Sequence, residues 1–222
     1  AAHVLGEPAC APLLTAGLGP DVTPELCERA LREHDIAAVR TGGEGPQLLD
    51  AVVERLCDGR VLGWVQGRME YGPRALGHRS IVAHPGCEGV QDRVNQIKSR
   101  QSWRPFGPSV LAEHAGDWFE DTAFGPFMTF TSQVREERRE AVAGIVHEDG
   151  STRPQWVDEH AEPMWRQLIA RFHDATGLPM LLNTSFNGGG EPIVCTAADA
   201  ITSARRIGLD GIVLGPYLLD LG

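Results

Sequence analysis

Three stretches of the chain concentrate side chains suited to holding anions. The first, "GRMEYGPRALGHRS" at residues 67–80, sets Arg68, Arg74 and Arg79 among Gly67, Gly72, Gly77 and Pro73. Glycine lets a backbone approach a ligand closely, and the guanidinium fork matches phosphate oxygens. In the second, "NQIKSRQSWRPFGPS", Lys98 and Arg104 flank an aromatic, Trp103, and Pro105 and Pro108 stiffen the chain beyond. In the third, "LLNTSFNGGGEP", an apolar run ends in Asn183, Thr184, Ser185 and Asn187 before three glycines. Amides and hydroxyls at a strand end suit phosphate, ribose or metal-phosphate contacts. Taken singly, each arginine could equally pair with a surface carboxylate, and the third stretch could be an ordinary polar turn.

The charge distribution favours the ligand reading for the arginine window as a whole. The chain carries a formal −10, yet Arg68 to Arg104 holds seven basic residues against three acidic ones, a local +4 that leaves −14 elsewhere. Such a molecule repels nucleic acid at long range while offering a local pocket to a compact anion, which favours a phosphorylated small molecule over DNA.

Other chemistries lack their signatures. No GxxxxGK[ST] or GxGxxG loop is present, and GxSxG is missing. The eight histidines show no HxxxH, HExxH or HxH spacing, so no metal site is legible, and His78 reads as structural. The five cysteines are scattered and odd in number, consistent with reduced thiols in apolar sites. No run of about 18 apolar residues and no signal-peptide pattern occurs, so no membrane association is expected and a cytoplasmic location is.

These stretches need a scaffold, and the patterning supplies alternating elements. Thr23 and Pro24 open a helix over 24–34, "IAAV" at 36–39 reads as a strand, and "PQLLDAVVERLCDG" gives a helix with Leu48, Leu49, Val52, Val53 and Leu56 on one face. "RVLGWVQG" is a strand delivered into the first stretch. "RSIVA" follows as a strand, "EGVQDRVNQIKSR" as a helix, and "GPSVLAE" and "FMTFTSQV" as further strands. Residues 135–160 read as a polar, irregular excursion. Then come a helix in "MWRQLIARFHDATG", a buried strand in "LPMLLNTSF", a capped helix in "TAADAITSARRIG" and one closing strand in "DGIVLGPYLL". The expected class is α/β (α+β), 42% hydrophobic over 222 residues, with no internal repeats.

Together "GWVQGRMEYGPRALGHRSIVAHP", "RVNQIKSRQSWRPFGPSVLAE", "LPMLLNTSFNGGGEPIV" and "GLDGIVLGPYLL" closely resemble the carboxy-terminal part of the O-carbamoyltransferases. That family includes the nodulation protein acting on chitin oligosaccharides and antibiotic-tailoring enzymes. The resemblance spans roughly residues 20 to 220 and implies a YrdC-like twisted mixed sheet flanked by helices. It implies a reaction in which carbamoyl phosphate and ATP give carbamoyl adenylate, phosphate and pyrophosphate. ATP and Mg²⁺ held through phosphates are the expected cofactors, and Arg74, Lys98 and Arg104 the expected catalytic cations. Arg68, Arg79, Asn183, Thr184, Ser185 and Asn187 are the expected substrate and ATP contacts. YrdC domains use a Lys-x-Arg pair and a Ser-x-Asn element, which joins Asn187 to Ser185.

Where many members read "ADPR", this chain has Ala83, His84, Pro85 and Gly86, losing one acidic and one basic group. The resemblance implies that residues 1–20 are a remnant of, or linker from, an amino-terminal metal-binding transfer domain, and that 21–222 form the adenylating domain. The transfer domain, fused or separate, would be the partner, and the acceptor a hydroxyl of an antibiotic or sugar. Two other readings share the fold: a relative of the threonylcarbamoyl-adenylate synthases and a non-catalytic ATP-binding module. The arginine-rich first stretch argues against the former.

Overall fold

The computed structural model describes residues 13–36, 45–121 and 125–221. Helices α1 (Pro24–Glu33) and α2 (Pro46–Cys57) precede strands β1 (Leu62–Val65) and β2 (Arg79–Ala83), then helix α3 (Val90–Ile97) and strand β3 (Gly107–Leu111). A short helix α4 (Ala115–Trp118) leads to the two-residue strands β4 (Ser132–Gln133) and β5 (Ser151–Thr152) and to β6 (Gln155–Val157). Helix α5 (Pro163–Thr176), β7 (Met180–Ser185), α6 (Ala197–Ile207), β8 (Gly211–Leu214) and β9 (Tyr217–Asp220) complete the order.

Seven strands form one mixed sheet in the order β6-β3-β7-β2-β1-β8-β9. β1 runs parallel to β8 and β6 parallel to β3, and the other neighbours are antiparallel. Alternation along the strands feeds two apolar layers. Leu62, Trp64 and Val82 face α2 and α5 through Leu48, Val52, Trp165 and Phe172. Val65, Ile81 and Ala83 face α1, α3 and α6 through Leu31, Val94 and Ile201. Fully burying an aliphatic side chain contributes about 1.5–3 kcal/mol, so both sheet faces need helical cover.

Helix ends follow local chemistry. Thr23 Oγ1 accepts the Leu26 N–H at 3.4 Å, and Thr196 and Asp199 form a reciprocal capping box on α6. Gly177 and Gly208 close α5 and α6 in the left-handed region.

Four expectations are corrected. "FMTFTSQV" yields only the two-residue β4, because Met128 takes φ +53° and cannot sit in an extended run. The excursion at 135–160 contributes the sheet-edge strand β6, whose Trp156 and Val157 are buried beside β3. The closing strand is a hairpin, broken at Gly215 (φ +54°) before Pro216. The helix expected over 88–100 is α3 alone, because Lys98 caps it and Ser99 turns left-handed. Residues 37–39 of the "IAAV" strand lie outside the described residues.

Candidate active site

The C-terminus of α3 builds the centre. Ser99 adopts φ +49°, its N–H donates to Gln96 O at 2.9 Å, and the Arg100 N–H donates to Asn95 O at 3.0 Å. This is a Schellman termination with serine where glycine is usual. It reverses the chain between Lys98 and Arg100, so both cations sit at the negative end of the helix dipole. Asn95, buried on α3, fixes the turn beyond: its Oδ1 accepts Arg100 Nε at 2.6 Å, and its Nδ2 donates to Ser102 O at 2.8 Å and Arg104 O at 3.0 Å.

Lys98 is only 5% exposed. Its Nζ donates to Ser185 O at 2.6 Å, Asn187 Oδ1 at 2.9 Å and Asn187 O at 3.0 Å, with Ser185 Oγ farther off at 3.4 Å. Ser185 Oγ donates to Asn187 Oδ1 at 2.7 Å, and Asn187 Nδ2 donates to Glu191 O at 2.6 Å. The residue between them, Phe186, is buried against Gly63, where a Cβ would lie 2.6 Å from its ring. Gly189 then passes close to the α3 end, its ideal Cβ being 3.0 Å from Lys98 O. Burial, with Arg100 and Arg104 alongside, pulls the Lys98 ammonium down to about 7.

Around this hook lie cations without carboxylate partners among the described residues. Arg100 stacks 4.3 Å above the Phe106 ring, and its Nη2 is buried with no hydrogen-bond partner. Burial and Arg104 lower it to about 10. Arg104 is exposed at the end of a turn closed by its N–H on Gln101 O at 3.2 Å. Arg74 is exposed; burial, then the Arg74 charge, lowers Arg153, whose Nε is buried and unpartnered. Guanidinium donors without a carboxylate partner are what a phosphate dianion neutralises.

Three other expected residues, Arg79, Arg68 and Asn183, bond to backbone or to a buried network. Arg79 is fully buried and directs its donors to carbonyls: Gln66 O, Gly67 O and His78 O from Nη1, Pro20 O from Nη2, and Cys195 O from Nε. Arg68 donates to Leu18 O at 2.6 Å and Gly19 O at 3.0 Å. Arg79 thus directs its donors inward to backbone, whereas Arg68 is exposed and holds backbone through Nε and Nη2. Asn183 is buried, with Nδ2 donating to Ala75 O at 2.9 Å and Ser109 Oγ at 2.8 Å. Ser109 donates to Gln155, which donates to Leu76 O, so this network props the loop bearing Arg74. Thr184 is half-buried on β7 opposite Ile81. Glu70 Oε1 closes the same loop by accepting the N–H groups of Leu76, His78 and Arg79.

Sequence reasoning missed Arg100, Arg153 and Asn95 as site residues. The Lys-x-Arg spacing could have flagged Arg100. Arg153 carried no signal, because it lies in the stretch read as a solvated excursion.

The family model described as "Carbamoyltransferase C-terminus" matches residues 53–220. Nodulation protein NolNO of Sinorhizobium fredii is 47% identical over 170 residues, covering 75% of this chain and 25% of that protein. The 3'-hydroxymethylcephem-O-carbamoyltransferase of Amycolatopsis lactamdurans is 36% identical over 166 residues, covering 75% of this chain and 32% of that enzyme. Full-length HypF, solved in a phosphate- and nucleotide-bound form, superposes with a TM-score of 0.58 at 14% identity, covering 86% of this chain and 28% of HypF. That last likeness bears on the fold alone. The chain thus spans a quarter to a third of the curated relatives it matches.

Proposed function

Because this chain belongs to the carbamoyltransferase C-terminus family, we propose that it forms carbamoyl adenylate from carbamoyl phosphate and ATP. Water takes the phosphoryl group from carbamoyl phosphate, leaving carbamate and inorganic phosphate. A carbamate oxygen then attacks the α-phosphorus of ATP, and the bond to the pyrophosphate leaving group breaks. An anionic nucleophile meets an anionic centre in the second step, so fixed cations must offset the repulsion.

The observation that carries this reading is the Lys98 ammonium held on Ser185 and Asn187 with Arg100 and Arg104 alongside. Lys98, Arg100 and Arg104 bind the nucleotide phosphates, and Ser185, Thr184 and Asn187 orient the reacting groups. Arg74 and Arg153 bind the carbamoyl phosphate. Asn183 is a positioning residue for the Arg74 loop. Mg²⁺ would supply charge neutralisation on the phosphate oxygens. No cluster of three or more His, Cys, Asp or Glu side chains gathers among the described residues, so its donors would be phosphates and water.

Transfer of the carbamoyl group to an alcohol of an antibiotic or sugar belongs, in this reading, to the part of the longer relatives beyond the matched region. Residues 1–20 would join the two. Among the described residues no helix is long and apolar enough to cross a membrane.

The test is pyrophosphate release by the purified chain with ATP, Mg²⁺ and carbamoyl phosphate, beside a parallel reaction with threonine and bicarbonate. Release only in the first supports the proposal. Release only in the second would assign a threonylcarbamoyl-adenylate reaction, and binding of ATP with no release in either would leave a nucleotide-binding module. Lys98→Ala and Arg104→Ala should each weaken nucleotide or carbamoyl phosphate binding by about 1.5–3 kcal/mol, the range for charged hydrogen bonds. Unchanged titration curves for both variants would reject the site assignment.

A further inference from the structure

Two thiols outside the cationic centre meet at one end of the sheet. Leu62 of β1 pairs with Val82 of β2 in antiparallel register. Cys57 lies five positions before Leu62 and Cys87 five positions after Val82, so the two segments leave the sheet side by side with a cysteine at matching distance. Cys57 is the last residue of α2, and the turn after it, closed by the Gly59 N–H on Leu56 O at 3.0 Å, sets Gly59 against the Cys87 side chain. A Cβ on Gly59 would stand 3.6 Å from Cys87 Sγ. A disulfide needs Cα atoms about 4.4–6.8 Å apart, a range that one turn of chain spans.

Neither sulfur is sealed in the core. Cys57 is exposed, and Cys87 is half-buried and opens on a surface cavity of about 460 Å³ that Gly86, Glu88 and Gly89 also line. Cys27, by contrast, is enclosed, and burial pushes its thiol up to about 12. A cation stands beside the pair. Arg93 Nη1 donates to Gly59 O at 2.9 Å while Nη2 is held on Asp210 Oδ1 at 2.6 Å, and the Arg93 charge favours the Cys87 thiolate against the burial that opposes it.

We infer that Cys57 and Cys87 form a redox pair, a dithiol that a peroxide converts to an intramolecular disulfide and a thiol reductant restores. The Cys87 thiolate attacks one oxygen of hydrogen peroxide, the O–O bond breaks and hydroxide leaves, giving a sulfenic acid. The Cys57 thiolate then attacks that sulfur, the S–O bond breaks and a second hydroxide leaves. Two electrons pass from the sulfurs to the peroxide, and the two thiol protons end in two waters. The bond ties the end of α2, which covers one sheet face, to the loop that starts α3, which covers the other. Lys98 caps the opposite end of α3, so the pair stands apart from the cationic centre and is independent of the proposed reaction.

The test treats the purified chain with hydrogen peroxide, blocks remaining thiols with iodoacetamide and digests with trypsin without reductant. Peptides 56–60 and 80–93, which hold Cys57 and Cys87, should appear joined, lighter than their sum by two hydrogen atoms, and should separate with dithiothreitol. The joined chain should run as a monomer on a non-reducing gel. Because burial raises both thiols, the rate of joining should rise about tenfold per pH unit near neutrality. Cys57→Ser should abolish the crosslink and leave at Cys87 a sulfenic acid that dimedone traps. Peptides that stay unjoined in the wild-type chain would overturn the inference, as would joining only between two chains. So would crosslinks from Cys57 or Cys87 to Cys10, Cys27 or Cys195 in comparable yield, or a crosslink formed equally well in urea, which would owe nothing to the fold.

Discussion

Lys98 has to hold a loop together and meet an anion with the same three donors. Its ammonium is pulled from 10.5 down to about 7, first by burial and then by Arg100 and Arg104. The unfolded chain keeps that proton up to the ordinary lysine value, so between these two values the unfolded state binds more protons than the folded one. Stability should therefore rise with pH across that window, the penalty being fully present below it. Lys98→Met should flatten this rise in denaturant titrations, and an identical rise in the variant would contradict the assignment. Anion binding has the opposite sign. A phosphate on Lys98 favours the ammonium, so above about 7 binding must take up a proton and affinity must fall as pH increases. Calorimetry in buffers of different ionisation enthalpy should show that uptake for the wild type and none for Lys98→Met.

At the scale of elements, the site depends on how α3 ends and how β7 ends. Asn95→Ala would strand the Ser102 carbonyl and Arg100 Nε and leave Arg104 O to Gln91 Nε2 alone. It should cost about 1–3 kcal/mol, and limited proteolysis should find the 100–105 loop cleavable; unchanged cleavage would argue that the prolines alone hold it. Gly63→Ala would push a Cβ into the Phe186 ring, displacing the residue that seats Ser185 and Asn187. Its expected signature is a loss of phosphate binding larger than its loss of stability. These elements were unequally legible. The β7 strand read directly, because a short apolar run bounded by polar residues and glycines has the pattern of a buried strand. β6 was invisible, since three residues are too short for alternation to register and its partner β3 lies more than forty positions away. Arg79 was misread because an arginine's type says nothing about its burial. In sequence it looks like Arg74, and only the fold turns one inward and the other out.

At the scale of the whole molecule, the sheet sets the cationic centre between strand ends and the α3 terminus, and the two apolar layers leave that rim uncovered. The relatives are three to four times longer than the region they share with this chain. If adenylation is housed here and transfer elsewhere, the chain alone should produce AMP-linked product yet carbamoylate no sugar or antibiotic alcohol. Carbamoyl adenylate is labile in water, so turnover should be slow and wasteful. Adding the unmatched region of a longer relative as a separate polypeptide should enable transfer, less efficiently than in a fused chain because the effective concentration is lower. A carbamoylated acceptor formed by this chain alone, detected by mass spectrometry, would refute the division.

Arg79 ties together places that are remote in the chain: Pro20 at the entry to α1, Gln66 and Gly67 after β1, and Cys195 just past the glycine loop that carries Asn187. A single guanidinium at the junction of three segments leaves no low-energy way to open one alone, since each opening strands donors that the other two cannot satisfy. The amides of Val22 and Val194, which donate to Gly67 O and Phe186 O, should therefore exchange with deuterium at one common rate, through one shared opening. In Arg79→Met the rates should separate, the entry segment breathing freely while the sheet-bound segment stays closed.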